Sequence, residues 1–200
     1  AGLGAAFELT NTKPDCRILI IDREKYSTGG LRNDCKMNFT FPIGFPLEYW
    51  DSETAEYYLR KVMDILKPPV MDKYRLDVYQ KRAEKLHAKL LTVSQAHLGT
   101  DGGLKLIKEL VGTLEKRGVE FSLGEEVTAV DYDRNMLVSR MREMEYGNLI
   151  VAPGRKGFKF LQDLMNNLGI SYYDNIVDIG IRVETRENLY PIVKDYYDPK

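Results

Sequence analysis

Leu3, Ala6, Phe7 and Thr10 recur at helical spacing, and a polar stretch at 11–14 breaks the pattern before the unbroken apolar run 18–21. The order is helix, turn, buried strand. A polar, glycine-containing stretch at 23–38 and a proline- and aromatic-rich stretch ending at Trp50 read as ordered loop. Asp51 and Ser52 stand where a helix cap belongs, ahead of an apolar stripe of Ala55, Tyr58, Leu59, Val62, Ile65 and Leu66 that Pro68 and Pro69 terminate. A second helix is expected over 72–87, and Leu90, Leu91 and Val93 suggest a short strand. Thr100 or Asp101 can cap a helix carrying Leu104, Ile107, Leu110, Val111 and Leu114, with Gly118 as its stop.

Val119 and Phe121 predict a short strand, and three further strands are expected at 127–132, 136–139 and 149–152. The last of these is buried on pattern and ends at Pro153 and Gly154. Phe158, Leu161, Leu164, Met165 and Leu168 predict one more helix, stopped by Gly169, and 177–183 is the final strand candidate. Helices alternating with strands favour an α/β sheet with parallel pairs over a bundle or a sandwich.

Composition agrees with a globular chain: 200 residues, 44% hydrophobic and 30% charged, with a formal net charge of −1. That balance gives no support to binding of a polyanion, and no apolar run approaches membrane-spanning length. No basic and apolar leader of the secretory kind stands at the front, so the cytoplasm is the expected location. Cys16 and Cys35 are the two cysteines and His87 and His97 the two histidines, too few for a structural zinc site. Two idle thiols are the favoured reading of the cysteines, with a Cys16–Cys35 disulfide as the alternative.

The most informative constellation comes first. Gly2 opens the first helix, and Asp22 closes the first apolar strand 20 residues later. A dinucleotide-binding unit has this order: its third fingerprint glycine permits close helix–strand packing, the helix start faces the pyrophosphate, and an acid at the end of the second strand takes the ribose hydroxyls. A packed helix followed by a solvated turn aspartate is the plainer alternative.

AGLGAAFEL at 1–9 and ILIIDRE at 18–24 resemble the fingerprint tail and the acid-ended second strand of flavin-dependent dehydrogenases in the glutathione-reductase-like superfamily. GGLRNDCKMN at 29–38, HLGTD at 97–101, NLIVAPG at 148–154 and DIGIRVETRENLY at 178–190 look like one branch of it, the FAD-utilising dehydrogenases. Cys35 stands where that branch has a glycine.

The resemblance implies a Rossmann-like FAD/NAD(P)-binding fold with FAD as cofactor. Gly2 then sits beside the pyrophosphate, Asp22 at the ribose and Arg23 near the adenine. Gly29 and Gly30 admit the cofactor to the backbone, and Lys36 supplies a charge near the phosphates or the flavin. Val127 is the candidate for reading the adenine edge through its main chain, while Ala152 and Gly154 leave room beside the dinucleotide. Pro153 replaces the commoner threonine and removes a hydroxyl contact.

The implied organisation is an FAD-binding domain over 1–155, with a helical insert at about 51–88 and the beginning of a substrate-side domain at 156–200. The first strand and first two glycines of the fingerprint are expected ahead of Ala1, so the chain reads as a fragment. Such a fragment is expected to retain little FAD and to self-associate through an open strand edge. The expected activity is oxidoreduction of an unassigned small molecule, with NAD(P)H as a candidate electron donor and with no nucleic-acid or membrane partner. A nucleotide-binding module without redox chemistry and a flavoprotein of RNA modification are the alternatives.

Catalytic residues are not assigned. His97, just ahead of a helix start, is weighed as a proton shuttle against a packed histidine. His87, among Lys81, Arg82, Lys85 and Lys89, reads as part of a solvated face. The tyrosine pairs 57–58 and 172–173 are half-buried aromatics or substrate-stacking ones.

Overall fold

The computed structural model describes residues 1–25, 36–43, 47–70, 76–97, 99–174, 179–181 and 184–189. Its contacts divide the chain into two units, Ala1–Cys35 with Leu98–Tyr173 and Lys36–His97 with Asp174–Lys200. The chain is of mixed α/β class with small sheets.

In the first unit, helix α1 (Gly2–Thr12) leads into strand β1 (Leu19–Asp22). Helix α4 (Gly99–Lys116) leads into strand β4 (Glu120–Leu123), and β4 pairs parallel with β1, Leu19 opposite Glu120 and Asp22 opposite Leu123. This is the parallel pair that the alternating pattern predicts. The turn after α4 depends on Gly118, whose φ of +85° favours glycine, while the Val119 N–H donates to the Leu114 carbonyl at 3.1 Å. The core lies where the two helices meet the two strands. Leu114, Ala6 and Val119 are buried there, with Leu3, Phe7, Ile18, Ile20 and Phe121 packed around them. Arg117 closes one end: its guanidinium lies 4.3 Å from the centre of the Phe7 ring and donates to Thr10 and Asn11.

Strands β5 (Val127–Asp131), β6 (Met136–Ser139) and β7 (Glu143–Glu145) form an antiparallel meander with a register shift between Val127 and Ala129. A 3-10 turn, Arg155–Gly157, then starts helix α5 (Phe158–Asn167), which packs near β5. Residues 156–173 therefore group with the first unit.

The second unit contains strand β2 (Lys36–Asn38), helix α2 (Ser52–Leu66), helix α3 (Leu76–Glu84) and strand β3 (Gln95–His97). Asp51 caps α2 as its sequence predicts, accepting the Thr54 N–H at 2.8 Å, and Lys67 ends that helix in the left-handed region. Strands β2 and β3 pair antiparallel, and Val70 forms an isolated bridge to Ala96.

Several expectations change. The strand expected at 149–152 is absent: that segment lies outside every strand, with Ile150 58% and Val151 36% exposed. An apolar run becomes a buried strand only where neighbours supply ladder bonds, and among the described residues none pairs with this one. Likewise β1 has a single neighbour there. Leu90, Leu91 and Val93 precede a strand rather than form one, since β3 begins at Gln95. Strand β2 occupies part of the stretch expected to be loop, and β7 follows an unpredicted turn. Of 177–183, only 179–181 are described, outside any strand. Cys16 carries an exposed thiol, and Cys35 lies outside the described residues. No helix among the described residues is long and apolar enough to cross a membrane.

Candidate functional site

Helix α1 begins at Gly2 without a side-chain cap, so its first N–H groups carry no side-chain acceptor. A Cβ built on Gly2 would lie 3.9 Å from the Ala152 Cβ, which brings these two candidates together at the start of the helix. That spacing is ordinary van der Waals contact. An alanine at this position would therefore fit against this neighbour.

Gly154 has a different requirement. Its φ of +63° with ψ of −170° is a region essentially reserved for glycine, and a Cβ there would meet nothing within 4 Å. Its carbonyl accepts the Gly157 N–H at 3.2 Å as the chain turns toward α5. Gly154→Ala is expected to cost about 1–3 kcal/mol through backbone strain alone. Urea denaturation checks this; an unchanged midpoint would show that the turn relaxes freely.

Asp22 closes β1 with its main chain and side chain used differently. Its carbonyl accepts the N–H groups of Gly124 and Glu125 at 2.8 and 3.1 Å, and its Oδ1 accepts the Glu24 N–H at 2.9 Å. Among the described residues Oδ2 has no protein donor. Arg23 points into a network of charges: its guanidinium lies 3.8 Å from Glu126 and 3.9 Å from Glu24, and 3.5 Å from the Lys156 carbonyl. Lys156 and Arg140 complete the network through Glu24 and Glu126, each at 3.0 Å. These pairs are well exposed, so each contributes little to stability. They do gather Arg23, the approach to Val127 and the turn after Gly154 on one side of the unit.

Val127 opens β5 opposite Ser139, and below that pair lies a cluster that residue patterns did not anticipate. The Glu125 side chain is fully buried and accepts hydrogen bonds from the hydroxyls of Ser122 and Ser139 and from Nε and an Nη of Arg142 at 3.2 and 3.0 Å. The Ser139 hydroxyl in turn accepts the N–H groups of Met141 and Arg142 at 3.1 and 3.0 Å. The Arg142 guanidinium, followed by the two hydroxyls, pulls the Glu125 pKa down to about 2, overriding the opposing effect of burial. A glutamate in a polar LGEEV turn reads as solvated, and nothing separates Glu125 from Glu126 before the fold is known.

In the second unit Lys36 and His97 are register partners across β2 and β3. Two candidates on separate strands thus occupy paired register positions. Beside the strand β2 residues Met37 and Asn38, a groove of about 370 Å³ is lined also by Phe39, Tyr58, Leu59 and Val62. Trp50 meets Tyr58 edge-on at 5.9 Å and Tyr57 meets Tyr58 at 5.2 Å, so the first tyrosine pair belongs to an aromatic cluster. Gly29 and Gly30 lie outside the described residues. Among the described residues no three His, Cys, Asp or Glu side chains converge as a metal site would require.

Of the candidates, Gly2 and Ala152 lie together, and Asp22, Arg23, Val127 and Gly154 are linked through the turn at 124–126 and the turn at 154–157. No protein-family model, curated protein or solved structure matches the chain.

Proposed function

We propose that the first unit is a Rossmann-like frame for the adenosine-diphosphate half of FAD, and that the chain serves a FAD-dependent oxidoreductase. The observation that carries this reading is Asp22, an acid closing one strand of a parallel pair, with one carboxylate oxygen that has no donor among the described residues and a preceding helix whose uncapped start lies against Ala152. Carboxyl ends of parallel strands and starts of helices are where α/β sheets receive phosphorylated ligands. Asp22 accepts from the ribose hydroxyls, the first N–H groups of α1 face the pyrophosphate, and the main chain at Val127 meets the adenine edge. Bound FAD supplies hydride or electron transfer, with NAD(P)H as the proposed donor.

Asp22→Ala is expected to weaken ADP binding by about 1–3 kcal/mol, because ribose hydroxyls lose a charged acceptor. Calorimetric titration with ADP reads this directly, and equal affinities would reduce Asp22 to a turn residue. Redox function is tested separately on a form of the protein that retains bound FAD. Absorbance that bleaches with a reductant and recovers with an acceptor supports the oxidoreductase, whereas stable but redox-silent nucleotide favours a binding module.

A further inference from the structure

Glu125 joins two parts of the first unit that have separate strands and separate hydrogen-bond ladders. Its N–H, together with that of Gly124, donates to the Asp22 carbonyl at the end of β1. Its carboxylate accepts from Ser139, the register partner of Val127 in the meander, at 2.6 Å. Arg142 reaches the same carboxylate from the turn between β6 and β7, and one of its Nη atoms also lies 3.3 Å from the Ser122 hydroxyl on β4. One residue thus holds the parallel pair on its main-chain side and the meander on its side-chain side.

We propose that Glu125 is a positioning residue which holds Asp22 and Val127 in one frame, so that the ribose-facing acid and the adenine-facing main chain keep a fixed separation. Its ligand consequence rests on the adenosine-site reading above. A carboxylate with no solvent contact and four side-chain donor contacts resists rotation, because any movement leaves a buried charge underbonded. The two serines are short and the guanidinium is planar, so the donors define an arrangement that an amide cannot reproduce: a glutamine presents its own N–H₂ to Arg142.

The test uses the full chain under native conditions, comparing the parent with Glu125→Gln and with Glu125→Asp, which keeps the charge on a shorter arm. Amide hydrogen exchange is followed at positions 124 and 125, which report on the Asp22 side, and at Met141 and Arg142, which report on the Ser139 side. In Glu125→Gln all four are expected to accelerate at least tenfold more than Val119, which is bonded to Leu114 across the end of α4 and follows the stability of the unit as a whole. ADP affinity is expected to fall at least fivefold and to recover in part in Glu125→Asp.

Faster exchange at Met141 and Arg142 alone, with positions 124 and 125 still protected, overturns the proposal, as does uniform acceleration that includes Val119. If Glu125→Gln does not fold, Ser122→Ala removes one donor to the carboxylate without touching the acceptor of any of the four amides, and is held to the same two-sided pattern at smaller amplitude. Failure of the parent to bind ADP refutes the adenosine reading, and the exchange pattern still decides whether Glu125 couples the two parts.

Discussion

Leu114→Ala is expected to destabilise the first unit by about 3–5 kcal/mol. Leu114 is fully buried at the contact of α1, α4, β1 and β4, where Ala6 and Val119 are too small to close the space and Phe7 and Phe121 are held by their own packing. A large-to-small change at such a position loses the transfer energy of the deleted carbons and leaves a cavity. Ile150→Ala is the matched control. Its apolar sequence context predicts a buried strand, yet the residue is 58% exposed, so its expected cost stays within about 0.5 kcal/mol. Urea denaturation of both variants checks the ranking, and a large loss from Ile150→Ala would show that 149–152 is buried after all.

The second large effect belongs to Glu125 and depends on pH. At neutral pH, Glu125→Gln is expected to cost about 2–4 kcal/mol, since it leaves Arg142 and two hydroxyls facing a poorer acceptor in a buried place. The folded-state pKa lies near 2 against an ordinary value of 4.5. A depressed carboxylate pKa stabilises the folded form fully above the ordinary value and loses that contribution as pH falls through the folded one. The difference between parent and variant is therefore constant above about pH 5 and shrinks between 4.5 and 2. Asp51 and Asp131 are also held below their ordinary range by their hydrogen bonds, so the parent curve alone mixes several groups. The parent-minus-variant difference isolates Glu125. A difference that grows on acidification would contradict the bonding described for this cluster.

Local signals carried much of the chain's order. Caps, apolar stripes and glycine stops located α1, α2, α4 and α5, because a helix closes its hydrogen bonds within its own segment. The runs 18–21 and 136–139 located strands for a different reason, their apolar patterns coinciding with real partners. The run 149–152 had the same pattern without a described neighbour, and β3 is three residues of QAH chosen by pairing rather than by propensity. Gly2 and Asp22 were legible through spacing, which a helix-turn-strand unit fixes. Glu125 was not, because its burial depends on Ser139 and Arg142, which lie 14 and 17 residues further along. Nor was the facing of Lys36 and His97, which only an antiparallel register reveals.

The most direct test of the central claim is residue-resolved NMR of the isotopically labelled 200-residue chain during titration with ADP to millimolar concentration, which also registers weak binding. Saturable shifts concentrated at residues 2–4, 22–24, 126–127 and 152–154, and lost in Asp22→Ala, are the expected result. Absence of saturable shifts, or shifts confined to α2 and α3, would contradict it.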